Sequence, residues 1–359
     1  EMCIRDRYNT GLDASFLKGK LRFTVDVYQK YIKDLLQKKV KMPTSIGYGN
    51  GYEVSYMNSG KMTNKGWEFR VDAVPFENRD WRVGFYFNIA HNENKITEMP
   101  DNYTEENYTF NNGEYAYRRE EGRPMGSFYG YRYKGVCQNK DATYARDADG
   151  NVMKDISGNA IVMRNGTATI APGDALYEDI NHDGVINQYD IVYLGNSNPR
   201  FTGGAGVNVS YKQFKLSAIF YGRYGQDVVN STRLNNESMR GIDNQSTAVL
   251  RRWRNEGDQT DIPRALYGEG YNTLGSDRFV EDASYLRLKS LSFNYRLPKK
   301  IIQRWGFSNI DVYVTGYNLF TWTKYTGQDP EVKTENTYAR DSATTPASIQ
   351  LVAGFNLSF

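Results

Sequence analysis

Trp81-Arg-Val-Gly-Phe-Tyr-Phe-Asn-Ile89 is the stretch whose reading decides the fold. Trp81, Val83, Phe85, Phe87 and Ile89 are apolar, and Arg82, Gly84, Tyr86 and Asn88 stand between them. Successive side chains of a β-strand point to opposite faces, so this stretch has one greasy and one wet side. The same period of two continues in both directions. Upstream, Leu21, Phe23, Val25 and Val27 oppose Lys20, Arg22, Thr24 and Asp26; downstream, Leu351, Ala353, Phe355, Leu357 and Phe359 oppose Gln350, Asn356 and Ser358. Similar runs near 8–16, 66–74, 126–136, 201–211, 214–224, 284–296 and 308–319 bring the total to about ten strands, several with the ~9–11 residues that a tilted strand needs to cross a bilayer. Between Leu288 and Leu291 the phase slips, which predicts a β-bulge.

The connections alternate in length. Leu17-Lys18-Gly19, Phe76-Glu77-Asn78-Arg79-Asp80 and Lys212-Gln213 are short; 38–65, 96–125, 138–200, 226–277 and 320–346 are long and polar. Short turns at one rim and long loops at the other are the habit of outer-membrane barrels, whereas a soluble sandwich keeps most connections short. Two short helices are expected, over 245–254 and over 298–305, the second with Pro298 in its first turn and lying on the short-turn side.

Composition narrows the function. Tyr (29), Gly (33) and 14% aromatics occur in a chain of 359 residues that is polar on average, a mixture that suits a barrel with a wet lumen. A formal charge of +3 gives no case for nucleic acid. Two cysteines, Cys3 and Cys137, and two histidines, His91 and His182, leave little material for a disulfide framework, a zinc site or a His-based triad. No apolar run approaches the ~18 residues of a membrane helix. Cys137 reads as a packing residue, Gly47–Gly51 lacks the context of a nucleotide loop, and no enzyme is expected. Residues 1–7 join the strand pattern abruptly and are read as a sequencing or cloning scar, which a genomic copy encoding the same seven residues would refute.

One loop has metal-site spacing. In Asp179-Ile-Asn181-His-Asp183-Gly184-Val185-Ile186-Asn187-Gln-Tyr-Asp190, oxygen ligands fall at positions 1, 3, 5 and 12 of an EF-hand-type loop. Gly184 takes position 6, Val185 offers its carbonyl, and Asn187 serves directly or through water. Asp190 departs from the usual Glu, as in dockerin-like loops. The expectation is structural calcium; the alternative is a surface loop rich in Asx-turns with no metal. Trp67, Trp81, Tyr129, Tyr131 and Trp322 are expected in interfacial girdles, with ring stacking on sugars as the rival reading. Tyr221 and Tyr313 are assigned to the lumen. The basic clusters Lys38–Lys41 and Arg251–Arg254 read as solvated loop charge.

Five blocks carry a resemblance: 58–68 (NSGKMTNKGWE), 122–131 (GRPMGSFYGY), 194–202 (LGNSNPRFT), 282–291 (DASYLRLKSL) and 315–331 (TGYNLFTWTKYTGQDPE). Together with the aromatic end, they make residues 8–359 resemble the SusC/RagA family of TonB-dependent outer-membrane transporters. The resemblance implies an all-β fold: about ten antiparallel strands at the C-terminal side of a transmembrane barrel of about 22, with long extracellular loops and short periplasmic turns. It assigns the plug and the TonB contact to residues outside this stretch. It also implies import of oligosaccharides, or of peptides, with a SusD-like surface lipoprotein as partner and outer-membrane lipid as surroundings. The rival readings are a siderophore or cobalamin receptor and a secreted calcium-stabilised β-sandwich.

Overall fold

The computed structural model describes residues 4–41, 53–58, 60–99, 112–116, 119–268, 271–335 and 338–359. Its main feature is one antiparallel sheet of nine strands in which each strand pairs with its neighbours along the chain. The strands are β1 (Ile4–Phe16), β2 (Leu21–Lys33), β3 (Lys61–Glu77), β4 (Trp81–Glu98), β5 (Phe201–Tyr211), β6 (Phe214–Tyr224), β7 (Tyr285–Arg296), β8 (Asn309–Thr323) and β9 (Gln350–Ser358). Of the ten runs read from the sequence, 126–136 is not in this wall. Its residues form two short strands, Ser127–Gly130 and Tyr133–Val136, inside the loop layer. Alternation marks any strand with two unlike sides, and here the second side is a loop core. Several wall strands also outrun their pattern, β3 beginning at Lys61 and β4 reaching Glu98. Residues 4–7 continue β1 and pair with Lys30–Lys33.

Register makes the two faces continuous. Ala73, Phe85, Val207 and Ala218 are aligned across β3 to β6, as are Val71, Phe87, Ala205 and Phe220. Farther round, Phe214 is aligned with Tyr295, which meets Val312, which meets Phe355. The result is an apolar surface left open, with Phe85 and Phe87 each 40% exposed, Phe355 67% and Leu351 76%. Water does not tolerate a contiguous patch of this extent, and hydrocarbon favours it. Aromatic rings concentrate at both ends of the face. Trp81 and Tyr211 lie 4.3 Å apart and Phe214 and Tyr295 4.7 Å apart at the short-turn rim. Trp67, His91, Phe201 and Tyr224 run along the other rim. These are two girdles.

The opposite face is wet and fitted together by tyrosines lying over glycines. A β-carbon at Gly66 would overlap the ring of Tyr28, one at Gly206 the ring of Tyr86, and one at Gly354 the ring of Tyr313. Each pair is directly cross-strand, so the missing side chain is what seats the ring. Arg70 lies over Tyr86 and grips Asp72 with two bonds of 2.7 Å. The expected bulge is present: the pairing of β6 with β7 shifts between Ile219 and Phe220, and that of β7 with β8 between Leu288 and Ser290. At the short-turn rim Leu17, Lys18 and Gly19 all take positive φ, as does Lys212. Between β7 and β8 the expected helix is α1 (Lys299–Ile302) with a 3₁₀ turn to Trp305, and Pro298 is its N-cap rather than its first-turn residue. The other expected helix is shorter, a 3₁₀ turn over Thr247–Arg251.

Candidate functional site in the loop layer

The described residues of the connections 96–125, 138–200, 226–277 and 320–346 do not hang free. They fold into a second layer with cores of their own, one built on Tyr129, Tyr131, Ala145, Tyr177, Ile186 and Leu274, another on Tyr115, Phe128, Val229, Leu234 and Phe279. Tyr129 and Tyr131 are therefore not girdle residues. They are fully buried here, because Tyr129 in the strand Ser127–Gly130 and Tyr131 just beyond it both pack into the loop core. Trp81 and Trp322 do stand at strand ends on the outer face, whereas Trp67 lies within β3, beside Phe201 at the start of β5. Tyr313 lies on the wet face over Gly354. Tyr221 faces the same way and has Lys289 and Arg223 near its ring.

The five blocks that were separate in sequence pair with one another in space. Residues 192–196 form a strand against 127–130, and Asn198 Nδ2 donates to the carbonyl of Met125 at 2.6 Å. The N–H of Met125 donates to Asn94 Oδ1 at 2.7 Å, and Asn94 Nδ2 reaches Asn64 Oδ1 at 2.9 Å. Phe201 packs on Trp67. Likewise Arg287, with a side chain only 3% exposed, holds Asp329 and Glu331, and Lys289 holds Glu331 at 2.9 Å. Burial would raise the Asp329 carboxyl, but the N–H groups of Ala347 and Glu331 and the Arg287 guanidinium overcome it and hold it below its ordinary value. These blocks are the clasps that tie loops to wall.

The aspartate loop is tightly turned, with φ of 55° at His182 and 82° at Gly184. Asp179 accepts from the N–H groups of Asp183 and Gly184 at 3.3 and 2.8 Å, and Asp183 accepts from Val185 at 2.8 Å. Asn181 Nδ2 donates to Asp183 at 2.9 Å, and Asn187 Nδ2 to the Val185 carbonyl at 3.0 Å. Asp190 is buried and accepts from Ile180 and Asn187, both at 2.8 Å. Burial first, and then the Asp179 and Asp183 carboxylates, push its carboxyl above the ordinary range. Among the described residues no group of three or more His, Cys, Asp or Glu side chains has a metal-holding arrangement; the oxygens present are those of the predicted spacing, engaged with the loop's own N–H groups.

That loop is docked on a small knob the sequence reading missed. Residues 145–152, 153–160 and 161–168 are three units of eight with glycine sixth in each, at Gly150, Gly158 and Gly166, all at positive φ. Ala145, Met153 and Ile161 close a ring: each N–H donates to the carbonyl of another member at 2.9 Å. Asp147 and Asp155 cap the first two turns in the same way. The Arg164 N–H donates to the Gly184 carbonyl at 3.0 Å. The recurring glycine at a spacing of eight was the available signal. Cys137 is buried beside this core, donates its thiol to the Asn139 carbonyl at 3.3 Å, and burial pushes it up to about 11, so it remains a thiol. The 251–254 cluster lies on the loop surface except Trp253, which covers Gly173. Gly47–Gly51 and the side chains of Lys38–Lys41 lie outside the described residues.

With this geometry in place, comparisons with known proteins become specific. No family model matches the chain. It is 32% identical over 336 residues to TonB-dependent receptor P3 of Formosa agariphila, covering 91% of this chain and 30% of that protein. It is 26% identical over 362 residues to TonB-dependent receptor SusC of Bacteroides thetaiotaomicron, covering 98% of this chain and 31% of that protein. Among solved structures it superposes on the RagAB peptide transporter with a TM-score of 0.71 and 27% identity, covering 99% of this chain and 35% of the matched chain. The chain thus spans about a third of the length of the relatives it matches.

Proposed function

This chain is a barrel segment of the TonB-dependent receptors of SusC/RagA type, and from that premise we propose that the whole protein imports polar nutrient oligomers across the outer membrane. The relatives are receptors and transporters, not enzymes, and receptors of this kind are outer-membrane β-barrels. The observation that carries the reading is the wall itself: nine strands with a girdled apolar face, a polar inner face, and a folded loop layer at one rim. A secreted sandwich would bury the face that this sheet leaves open. In our reading an oligosaccharide or a peptide is the cargo, TonB supplies the energy through residues beyond this stretch, and a SusD-like lipoprotein sits over the loop layer. A siderophore or cobalamin receptor would have no need of such a partner.

The test is extraction of the full-length protein from its native membrane in mild detergent, followed by mass spectrometry of what accompanies it. A stoichiometric surface lipoprotein with a bound oligomer supports the proposal. A barrel that purifies alone and binds an iron chelate overturns it.

We also propose that Asp179, Asn181, Asp183, Asn187 and Asp190, with the Val185 carbonyl, hold calcium in the whole protein, tightening the loop against the knob. Hard cations take six to eight oxygens, which this spacing can supply. Calorimetry on the full-length receptor checks it: absence of calcium heat, or undiminished heat after Asp183→Ala, sinks the idea.

A further inference from the structure

At the short-turn rim the wall ends in four turns, 17–19, 76–80, 212–213 and 297–308. They carry six cations, Lys18, Arg79, Lys212, Lys299, Lys300 and Arg304, and two carboxylates, Glu77 and Asp80. Their net charge is therefore +4, whereas the whole chain carries +3, so everything outside these turns sums to −1. The net positive charge of the chain resides at this rim. All six cations are exposed. Among the described residues none of them ion-pairs with a carboxylate, and Glu77 is already held by Lys20 and Arg82 at 3.5 and 3.6 Å. Lys212 instead lies 5.2 Å from the centre of the Tyr211 ring, in the girdle. Pairing within the fold gives no account of this excess. Nor do further strands cover it, because β3 to β8, which bear three of the four turns, have neighbours on both sides. The longest turn adds an apolar element. Its α1 is rooted in the wall through Ile302, which is buried and whose carbonyl accepts from the N–H of Phe307 at 3.2 Å. The Phe307 ring in turn meets Phe359, 4.9 Å away, at the end of the apolar face. Ile301 and Trp305, four residues apart and so on one side of the helical turn, remain 44% and 60% exposed. Lys300 and Arg304 form the adjoining stripe.

We infer that this rim is a binding surface for anionic phospholipid headgroups, with the 299–305 turn as its anchor. The inference rests on the barrel reading above and adds which lipid the barrel selects. Aromatic girdles mark the boundary between hydrocarbon and headgroups, and the cations stand next to the rings of Trp81, Tyr211, Phe214 and Tyr295. At that depth the counterpart of a lysine or arginine is a headgroup phosphate. An exposed apolar pair beside a basic pair is the pattern of a segment lying in the interface: Ile301 and Trp305 enter the acyl boundary while Lys300 and Arg304 reach the phosphates. Zwitterionic lipid alone would leave the net charge without a counterpart, so the charge favours an anionic headgroup such as phosphatidylglycerol. A soluble acidic protein would match the charge too, but not at the level of the girdle, where lipid already surrounds the wall.

The experiment places a bimane fluorophore on Gln303→Cys of the full-length receptor, in a background otherwise free of reactive thiols. The receptor is reconstituted in vesicles of phosphatidylcholine that contain a minor fraction of either brominated phosphatidylglycerol or brominated phosphatidylcholine. Bromine quenches only at contact, so the signal reports which lipid lies against the turn. Each cation near an anionic surface is worth about a fivefold preference, and phosphatidylglycerol should quench several-fold more strongly at equal content. Lys299→Gln, Lys300→Gln and Arg304→Gln together should bring it down to the phosphatidylcholine level, as should high salt in large part. Neutralising three exposed cations of the loop layer, by Lys140→Gln, Lys154→Gln and Arg251→Gln, should leave the preference unchanged, which separates a local surface from net charge. All the substituted positions are exposed, and retained heat-modifiable migration on gels verifies the barrel. Equal quenching by the two lipids, no quenching by either (as a turn covered by protein would give), or a preference that survives the rim variant overturns the inference. A receptor that folds into bilayers alongside such a result keeps the barrel reading; one that enters no bilayer removes that reading too.

Discussion

At the scale of single residues, the chain uses charge where a loop must be tied to the wall. Arg287 is the clearest case, nearly buried on β7 and shared by Asp329, Glu331 and the hydroxyl of Thr321. Removing one member of a buried ionic group leaves its partners desolvated and unpaired, at a cost of about 3–5 kcal/mol. Arg287→Met in the full-length receptor should therefore lower its resistance to urea by about that amount, as followed by tryptophan fluorescence. Asp329→Asn added to it should recover part of the loss, since one of the stranded charges is gone. Two independent losses that simply add would contradict the shared network. The sequence showed Arg287 and Glu331 as members of two blocks, but not that the blocks were each other's counterparts. Forty-odd residues separate them, and only the fold closes that distance.

At the scale of elements, a strand assigns each residue to lipid or lumen by parity alone. Val207 and Asn208 are neighbours on β5, yet Val207 is aligned with Phe85 on the apolar face and Asn208 bonds to Ser217 at 2.8 Å on the wet one. Arginine on the lipid face near mid-membrane costs about 2–4 kcal/mol. Val207→Arg should reduce folding into vesicles by that amount. Asn208→Arg should lose little more than the Ser217 bond, about 1 kcal/mol. Equal losses in the two variants, measured by urea titration in vesicles, would show that the face assignment is wrong. This parity was legible from the sequence because a period of two survives any strand length. The run 126–136 shows its limit, since alternation reports unlike surroundings and does not say that one of them is lipid.

At the scale of the whole molecule, the nine strands form an open sheet whose outer members, β1 and β9, do not pair with each other. Unpaired strand edges are intolerable in hydrocarbon and adhesive in water. Residues 1–359 expressed alone should accordingly aggregate, or refold in detergent without the gel shift of a closed barrel; a heat-modifiable monomer of this piece would refute that. Alternation, turn chemistry and loop lengths by themselves determined the wall, its two faces, the bulge after Leu288 and the aspartate loop's spacing, since each is written in neighbours a few residues apart. Only the tertiary structure decided that Tyr129 and Tyr131 are core, that the repeats of eight close into a ring, and that glycines receive tyrosines across strands. Those facts depend on which distant segments meet, and contact between segments 100 residues apart is set by the packing of the whole barrel and its loops, to which local pattern is blind.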